Sequence, residues 1–183
     1  MQMQLLQNRY TKALLLVGGG LSLVVVLSAI YNTFFVHNIS ISEPLGYYLK
    51  LSVGEIHKGN RYQVCINKKP YIEIMQSLGL PKTKSQCPYE SPYLIKEVAG
   101  IPNDIVTVNE SGVFINNVYQ NNSKPIIEHK KIKLMPLINY THKLESDEFF
   151  LLGRTRTSYD SRYFGVVKAN QFHSRLILLM NNE

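Results

Sequence analysis

The longest hydrophobic stretch of the chain lies near its N-terminus. No charged residue occurs from Ala13 to Val36, and most of the stretch is aliphatic. As a helix, these 24 residues would extend about 36 Å, which exceeds the ~30 Å hydrocarbon core of a bilayer. The pattern therefore predicts one transmembrane anchor over residues 13–36.

The charges around this stretch predict its orientation. Arg9 and Lys12 precede it, whereas the first acidic residue of the chain, Glu43, follows it. The positive-inside rule then predicts a cytoplasmic segment over residues 1–12 and an exported domain over residues 37–183. A cleaved signal peptide is the alternative, but the stretch is longer than the usual h-region of about 7–15 residues, and no clean A-x-A site follows it.

The exported domain alternates between apolar and polar positions in short runs, which is the pattern of β-strands. Glycine, asparagine and proline residues separate the runs, and Glu110-Ser111-Gly112 has the composition of a tight hairpin turn. The predicted fold class is therefore mostly β. The predicted strands are Tyr47–Leu51, Arg61–Ile66, Tyr93–Ala99, Ile105–Asn109, Val113–Ile115, Phe149–Leu152 and Leu176–Met180.

One segment of this domain has helical spacing instead. Ile72, Met75 and Leu78 recur every three residues between a proline and a glycine that can begin and end a helix. The spacing predicts a short helix over Pro70–Gly79, with its apolar side chains in the core. A loop over Pro81–Pro92 is predicted to follow.

The two cysteines, Cys65 and Cys87, bracket this helical insertion. Both follow the predicted anchor and should face an oxidising compartment, where disulfides persist. A bond between them would close a loop of about 22 residues and contribute roughly 3 kcal/mol to stability, and two free thiols are the alternative. Because no C-x-x-C or H-x-x-x-H spacing occurs, no metal site and no cofactor are predicted.

The net charge of the chain is +7 at pH 7. Lysine and arginine are spread along the sequence, without the clustered basic helix or basic-aromatic stripe that is typical of nucleic-acid binding. The charge suits an anionic lipid bilayer as a partner, and no nucleic-acid partner is predicted.

Lys96 has an unusual place in one of the predicted strands. Residues two apart share a face of a strand, so Leu94 and Val98 flank Lys96. Burial disfavours the charged form of an amine and lowers its pKa, and a neutral lysine amine can act as a general base. Taken alone, the segment favours a lysine that extends its amine from a strand edge into solvent.

Three segments occur in a fixed order after the predicted anchor. Residues 38–47 contain SEPLG, residues 94–104 read LIKEVAGIPND, and residues 151–165 contain TSYDSRYFG. In this order, and following a membrane anchor, the segments resemble the type I signal peptidase family of Ser–Lys proteases. The likeness is greatest to its conjugative-transfer branch, the TraF-type pilin-processing peptidases, and it extends over nearly the whole exported domain.

The resemblance implies a signal-peptidase-type antiparallel β-fold and a role for several residues. Ser42 matches the nucleophile and Lys96 the general base. Ser40 matches the hydroxyl that forms an oxyanion hole together with the Ser42 N–H, and Ser158 matches the hydroxyl that orients the lysine amine. This chemistry requires no histidine, and all five histidines lie outside the three segments.

The last segment also carries an acid and a base, and the chain departs from the family pattern elsewhere. Asp160 and Arg162 match supporting residues of the site, although the conjugative branch treats the aspartate as important for activity. Asn103 stands where the family often has glycine, and asparagine tolerates a left-handed backbone. Residues 153–156 replace the Gly-Asp-Asn-Arg of general signal peptidases, which favours the specialised branch. Glu43 is an acid where relatives often have an apolar residue.

These observations predict a serine endopeptidase of the bacterial inner membrane, with a single membrane pass, a cytoplasmic N-terminus and a periplasmic catalytic domain. The predicted substrate is a precursor with a signal peptide or a pilin precursor, and the predicted setting is a type IV secretion or conjugation machinery. In the pilin branch an amine of the same chain can replace water and give a cyclic subunit. The alternatives are a catalytically silent assembly factor of such a channel and a self-cleaving repressor, and the N-terminal membrane span disfavours the repressor.

Overall fold

The N-terminal hydrophobic stretch is helical. The computed structural model describes residues 2–67, 69–77, 87, 91–129 and 131–182. Helix α1 spans Gln2–Phe34, and its part Leu14–Phe34 has a mean hydropathy of 2.3 and is exposed. This length and composition fit a single-pass membrane anchor. The helix ends at Phe34, two residues before the predicted end of the span at Val36, because Phe35 and Val36 begin the first strand.

Residues 37–183 form a structural unit separate from residues 1–36. This unit is mostly β, as the sequence predicts. Its short helices are α2 (Lys69–Ser77) and α3 (Ser161–Phe164), and a 3₁₀ turn spans Ala169–Gln171. The strands are β1 (Phe35–Asn38), β2 (Gly46–Leu51), β3 (Arg61–Val64), β4 (Leu94–Gly100), β5 (Ile105–Asn109), β6 (Gly112–Ile115), β7 (Val118–Tyr119), β8 (Glu128–His129), β9 (Ile132–Lys133), β10 (Tyr140–Lys143), β11 (Glu148–Leu152), β12 (Val167–Lys168) and β13 (Phe172–Asn181).

The strands form three sheets. The largest has the order β1-β2-β13-β3-β4-β11-β12, the second has the order β10-β5-β6-β7, and β8 pairs with β9. Strand β4 is antiparallel to both of its neighbours, with Tyr62 of β3 opposite Lys96 and Leu152 of β11 opposite Glu97. Because β11 ends at Leu152, the first half of β4 has a neighbouring strand on one side only. That opening lies beside Lys96.

Strand β4 contributes to two hydrophobic cores. Leu94 and Val98 belong to the larger core, which also contains aromatic residues of β3, α3 and β13. Ala99 belongs to a second core between the sheets, together with Phe150 and Leu152. Buried apolar side chains on both faces fix this strand firmly, which holds Lys96 in place.

Each predicted strand is present with bounds that differ by a few residues at most, apart from the last, which begins four residues earlier than predicted. The predicted hairpin turn joins β5 to β6, and the Asn109 side chain accepts hydrogen bonds from the N–H groups of Ser111 and Gly112. Strands β1 and β10, the two-residue strands and α3 were not predicted, since elements of two to four residues show little or no period. Asn103 has a φ of 73°, the left-handed conformation that the sequence analysis allowed for it.

The helical insertion packs on the larger core through α2. Ile72 and Met75 are buried there, as predicted, whereas Leu78 and Gly79 lie outside the described residues. Of the predicted loop over 81–92, only Cys87, Ser91 and Pro92 are described. The predicted disulfide between Cys65 and Cys87 is present and joins the end of β3 to the segment that follows α2.

Removal of this disulfide should destabilise the domain. The bond closes a loop with a sequence separation of 22 residues, and the loss of such a constraint on the unfolded chain costs about 3 kcal/mol. The Cys65→Ser/Cys87→Ser variant of the full chain in detergent should therefore unfold at a lower denaturant concentration than the wild type. Dithiothreitol should produce the same decrease in the wild type and none in the variant. An unfolding midpoint of the wild type that does not respond to dithiothreitol would contradict this account.

Candidate active site

The loop between β1 and β2 carries Ser42, and the buried side chain of Asn38 organises this loop. Asn38 Nδ2 donates hydrogen bonds to the carbonyl oxygens of Ser40, Glu43 and Pro44 at 2.9–3.1 Å. Its Oδ1 accepts the N–H of Ser40 at 3.0 Å. A single amide therefore satisfies four backbone groups and fixes the path of the chain around Ser42. Sequence reasoning missed this role, because an asparagine in a loop gives no sign of which carbonyl groups surround it.

Lys96 projects from β4 into the larger core and ends beside Ser42. The residue is 3% exposed, and its Nζ lies 3.1 Å from Ser42 Oγ. Leu94 and Val98, on the same face of the strand, are buried as well. The structure thus has the proximity and burial that the sequence analysis expects for this lysine, and the catalytic roles of the two residues stay a prediction.

Burial is the main influence on the Lys96 amine. Desolvation lowers the pKa of Lys96 below its usual 10.5, while the nearby carboxylates of Asp160 and Glu43 raise it and the Arg162 guanidinium lowers it. The net direction is downward. The amine is therefore biased towards its neutral form, the form that can accept a proton.

A second hydroxyl lies next to that of Ser42. Ser40 Oγ is 2.9 Å from Ser42 Oγ, and either group can donate this hydrogen bond. The Ser42 N–H donates to Ser40 Oγ at 3.5 Å, so this amide and this hydroxyl are hydrogen-bonded to each other beside the serine. Their role as donors to an oxyanion stays a prediction.

Ser158 lies in the loop after β11, close to the backbone of Gly153. The Ser158 hydroxyl is buried and has no hydrogen-bond partner among the described residues, so the predicted hydrogen bond to Lys96 is not formed in this structure. A Cβ atom at Gly153 would lie 2.0 Å from Ser158 Oγ and 3.0 Å from the Ser42 carbonyl oxygen. Only glycine therefore lets these two segments approach so closely. The adjacent Arg154 N–H donates to the Ser42 carbonyl at 2.7 Å.

Asp160 and Arg162 form a fully buried ion pair behind the site. Arg162 donates from Nε to Asp160 Oδ1 at 2.8 Å and from Nη2 to Oδ2 at 2.7 Å. Asp160 also caps α3 and accepts the Gly153 N–H at 2.9 Å. The remaining donors of Arg162 reach the carbonyl oxygens of Asn122, Thr155, Arg156 and Ser158. The pair thus holds the Gly153–Ser158 loop in place, which fits the supporting role proposed for both residues.

Glu43, one residue after Ser42, is buried and paired with an arginine. It is 1% exposed, and its Oε2 accepts a hydrogen bond from Arg61 Nε at 2.7 Å. Arg61 Nη2 donates to Glu97 Oε2 at 2.8 Å, so one guanidinium joins two carboxylates. Burial raises the pKa of Glu43, and the hydrogen bond from Arg61 opposes that rise. Sequence reasoning missed the role of Arg61. A buried acid requires a positively charged partner, but the sequence does not show which of its lysines and arginines folds next to Glu43, and Arg61 is 18 residues away.

A cavity of about 320 Å³ opens beside this group. It is lined by Arg61, Glu97, Ala99, Gln120, Asn121, Asn122, Leu152, Gly153 and Arg154. Its wall includes Arg154, whose N–H contacts the Ser42 carbonyl, so the cavity adjoins the loop that carries Ser42. The arrangement places the Ser42 hydroxyl beside a buried amine, in a loop that adjoins a polar cavity, and a hydroxyl next to an amine base is the chemistry needed for acyl transfer.

Comparisons with known proteins support this interpretation at the level of the family. Residues 9–180 match the family described as signal peptidase, peptidase S26. No curated protein matches the chain. Among solved structures, the chain is similar to the crystal structure of a signal peptidase I from Enterococcus faecalis V583, at 18% sequence identity and a TM-score of 0.39, over 69% of this chain and 100% of that one. Because the family match extends over nearly the whole sequence, the chain belongs to the signal peptidase family, peptidase S26, and is a signal peptidase-like serine peptidase.

Proposed function

We propose that this protein is a membrane-anchored endopeptidase in which Ser42 is the nucleophile and Lys96 the general base. The observation that carries the proposal is the buried Lys96 amine, 3.1 Å from the Ser42 hydroxyl. A serine hydroxyl is a poor nucleophile until a base takes its proton. Among the described residues, the side chains that hydrogen-bond to Ser42 Oγ are Ser40 and Lys96, and of these two only the Lys96 amine is a base. The family membership supports a precursor with a signal peptide as the substrate.

In the proposed mechanism, neutral Lys96 accepts the Ser42 proton while Ser42 Oγ attacks the carbonyl carbon of the scissile peptide bond. The Ser40 hydroxyl and the Ser42 N–H donate hydrogen bonds to the oxyanion. Lys96 then returns the proton to the departing amine, and an ester on Ser42 remains. Lys96 next takes a proton from water as the water oxygen attacks the ester carbon; the bond to Ser42 Oγ breaks, Lys96 returns the proton to Ser42 Oγ, and the carboxylic acid product leaves. Loss of one oxyanion donor typically lowers the rate about 10²–10³-fold.

The setting that we propose is the pilin branch of the family. The support is the segment TSYDSRYFG and the absence of Gly-Asp-Asn-Arg at residues 153–156. On this proposal the substrate is a pilin precursor handled by a conjugation machinery, and an amine of the same chain can replace water and give a cyclic product. The N-terminus is cytoplasmic and the domain periplasmic, as the charges of Arg9 and Lys12 favour. A chain of only six residues separates Ser42 from Val36, which suits cleavage near the membrane surface.

Replacement of either member of the Ser42–Lys96 pair should abolish cleavage. The full chain in detergent is incubated with a precursor that carries an A-x-A cleavage site, and product formation is followed by mass spectrometry. Ser42→Ala and Lys96→Ala should each lower the rate by at least about 10³-fold, because neither the nucleophile nor its base can be replaced by water alone. Ser111→Ala and Lys143→Ala, at exposed positions, are the matched controls and should cleave at the wild-type rate. Full cleavage by either of the first two variants would remove the assignment.

The cleavage rate should rise with pH through the pKa of Lys96. Only the neutral amine accepts the Ser42 proton, and burial lowers the pKa of this amine below 10.5. The acid limb of kcat/KM should therefore lie well below the value of an ordinary lysine, so that the enzyme works under conditions in which exposed lysines are charged. A limb at or above 10.5, or a flat profile, is incompatible with a buried lysine base.

The same lowered pKa predicts that Lys96 costs stability. Below pH 10.5 the unfolded chain carries a protonated Lys96 while the folded state disfavours that proton, so the unfolded state binds more protons and stability falls as the pH falls through this range. Lys96→Met should therefore raise the Tm of the protein at pH 7, by an amount that shrinks as the pH approaches 10.5. Lys143→Met, at an exposed position, should show no such trend. A Tm of Lys96→Met below that of the wild type at pH 7 would speak against the burial cost.

A further inference from the structure

Two carboxylates act on the Lys96 amine, and each of them is bound by an arginine. Asp160 receives two hydrogen bonds from Arg162 at 2.7 and 2.8 Å. Glu43 receives one from Arg61 at 2.7 Å. Each carboxylate raises the pKa of Lys96, so either of them, if unpaired, would favour the charged amine.

The Glu43–Arg61 pair is the one that has no counterpart in the expected family pattern. Glu43 adjoins Ser42 in the chain and is 1% exposed, so water does not screen its charge. Its Oε2 faces Arg61, and its Oε1 has no hydrogen-bond partner among the described residues. Without the hydrogen bond from Arg61, the buried Glu43 carboxylate could form an ion pair with the Lys96 amine.

Arg61 is placed to hold it. This residue begins β3, opposite Glu97 of β4 in the antiparallel register, and its guanidinium contacts Glu97 at 2.8 Å as well as Glu43. The side chain is 28% exposed, so it connects the buried carboxylate to the wall of the cavity beside the site. Contacts to Glu97 on β4 and to Glu43 in the loop before β2 fix the guanidinium and, through it, the direction of the Glu43 side chain.

We propose that Arg61 is a positioning residue that binds the Glu43 carboxylate and so prevents it from becoming the counter-ion of Lys96. The inference rests on the proposed function of Lys96 as a base and adds a residue outside the three segments of the family pattern. Without Arg61, Glu43 and Lys96 would share a proton as a buried pair, and the amine would lose that proton only at a higher pH. With Arg61 in place, Glu43 is neutralised and the amine stays neutral at a lower pH.

The other ionisable groups around the pair are engaged elsewhere. Arg162 compensates Asp160, and Glu97 is itself bound by Arg61. The two phenols on the neighbouring strands donate their hydroxyls to backbone carbonyl oxygens: Tyr48 to Pro44 at 2.7 Å and Tyr62 to Glu55 at 3.3 Å. A substitution at Glu43 therefore alters this pair alone, whereas a substitution at Arg61 also releases Glu97.

The test measures the pKa of the Lys96 amine directly and follows cleavage in parallel. The full chain is prepared in detergent with ¹³C-labelled lysine, and the Lys96 ε-carbon resonance, identified by its loss in Lys96→Met, is titrated with pH. Arg61→Met should raise the pKa of Lys96 by about 1 unit or more, and Glu43→Gln should lower it. Glu43→Gln/Arg61→Met should return it close to the wild-type value, and Arg61→Lys should keep it there. The acid limb of kcat/KM on the A-x-A precursor should move in the same direction in each variant.

Opposite shifts in the two single variants and their cancellation in the double variant are the results that support the proposal. A merely structural role of Arg61 would lower the rate or the Tm without moving the Lys96 titration, and that result overturns it, as do shifts of the same sign in both single variants. Arg175→Met on β13 is the control and should leave the titration unchanged. If Arg61→Met does not fold, Glu43→Gln alone decides: a lower pKa supports the proposal, and an unchanged or higher one overturns it. Because the titration requires no activity, a correct shift together with cleavage by Ser42→Ala would contradict the proposed function and leave this inference standing.

Discussion

The burial of one lysine amine next to a serine hydroxyl is the constraint on which the rest of this domain depends. A charged amine in a dry core is costly, and no carboxylate of the described residues forms an ion pair with Lys96, so the neutral form is favoured. Strand β4 can hold such a residue because its two faces are anchored in two hydrophobic cores. Because β11 ends at Leu152, the first half of β4 is not covered by β11, and the Ser42 loop reaches Lys96 there. Strand β4 therefore holds the lysine rigidly and also leaves it accessible to the serine.

Around this amine, opposite charges are arranged in closed pairs. Arg162 satisfies Asp160 and at the same time binds four carbonyl oxygens of the surrounding loops, which gives the pair a structural role in addition to an electrostatic one. The absence of a side chain at Gly153 lets the Gly153–Ser158 loop, which Arg162 and Asp160 hold in place, approach the Ser42 backbone. The precision of the site therefore comes from buried supporting groups rather than from contacts between the reacting residues themselves.

How much of this could be predicted from the sequence depends on how local each signal is. The apolar run over residues 13–36 predicts the helix, because its pattern is local. The alternation of Leu94, Lys96 and Val98 places the lysine on one face of a strand, but its burial is expected only when the other two segments and the resemblance are taken together. The roles of Asn38 and Arg61 depend on groups that only the folded chain brings together, and no short-range pattern records them. The resemblance implied that the Ser158 hydroxyl orients the amine, but this hydroxyl has no hydrogen-bond partner among the described residues, and no short-range pattern in the sequence records its surroundings. The two-residue strands form because a neighbouring strand pairs with them, so their own residues carry no signal that could predict them.

The presence of Glu43 is not explained by stability. A buried ion pair is often no more stabilising than apolar residues of the same volume, and removal of one partner alone is costly, so an apolar residue at position 43 would be the simpler solution for the fold. Glu43 and Arg61 differ from Asp160 and Arg162 in one respect: Arg61 reaches the wall of the cavity beside Ser42, together with Glu97, whereas Arg162 is fully buried. The first pair therefore presents charge to the cavity, and on our proposal Arg61 keeps the Glu43 carboxylate from becoming the counter-ion of Lys96. A polar wall next to the nucleophile and a neutral base are conflicting demands on one small region, and an arginine bound to two carboxylates meets both, because its charge is compensated inside the protein and its edge remains in the cavity.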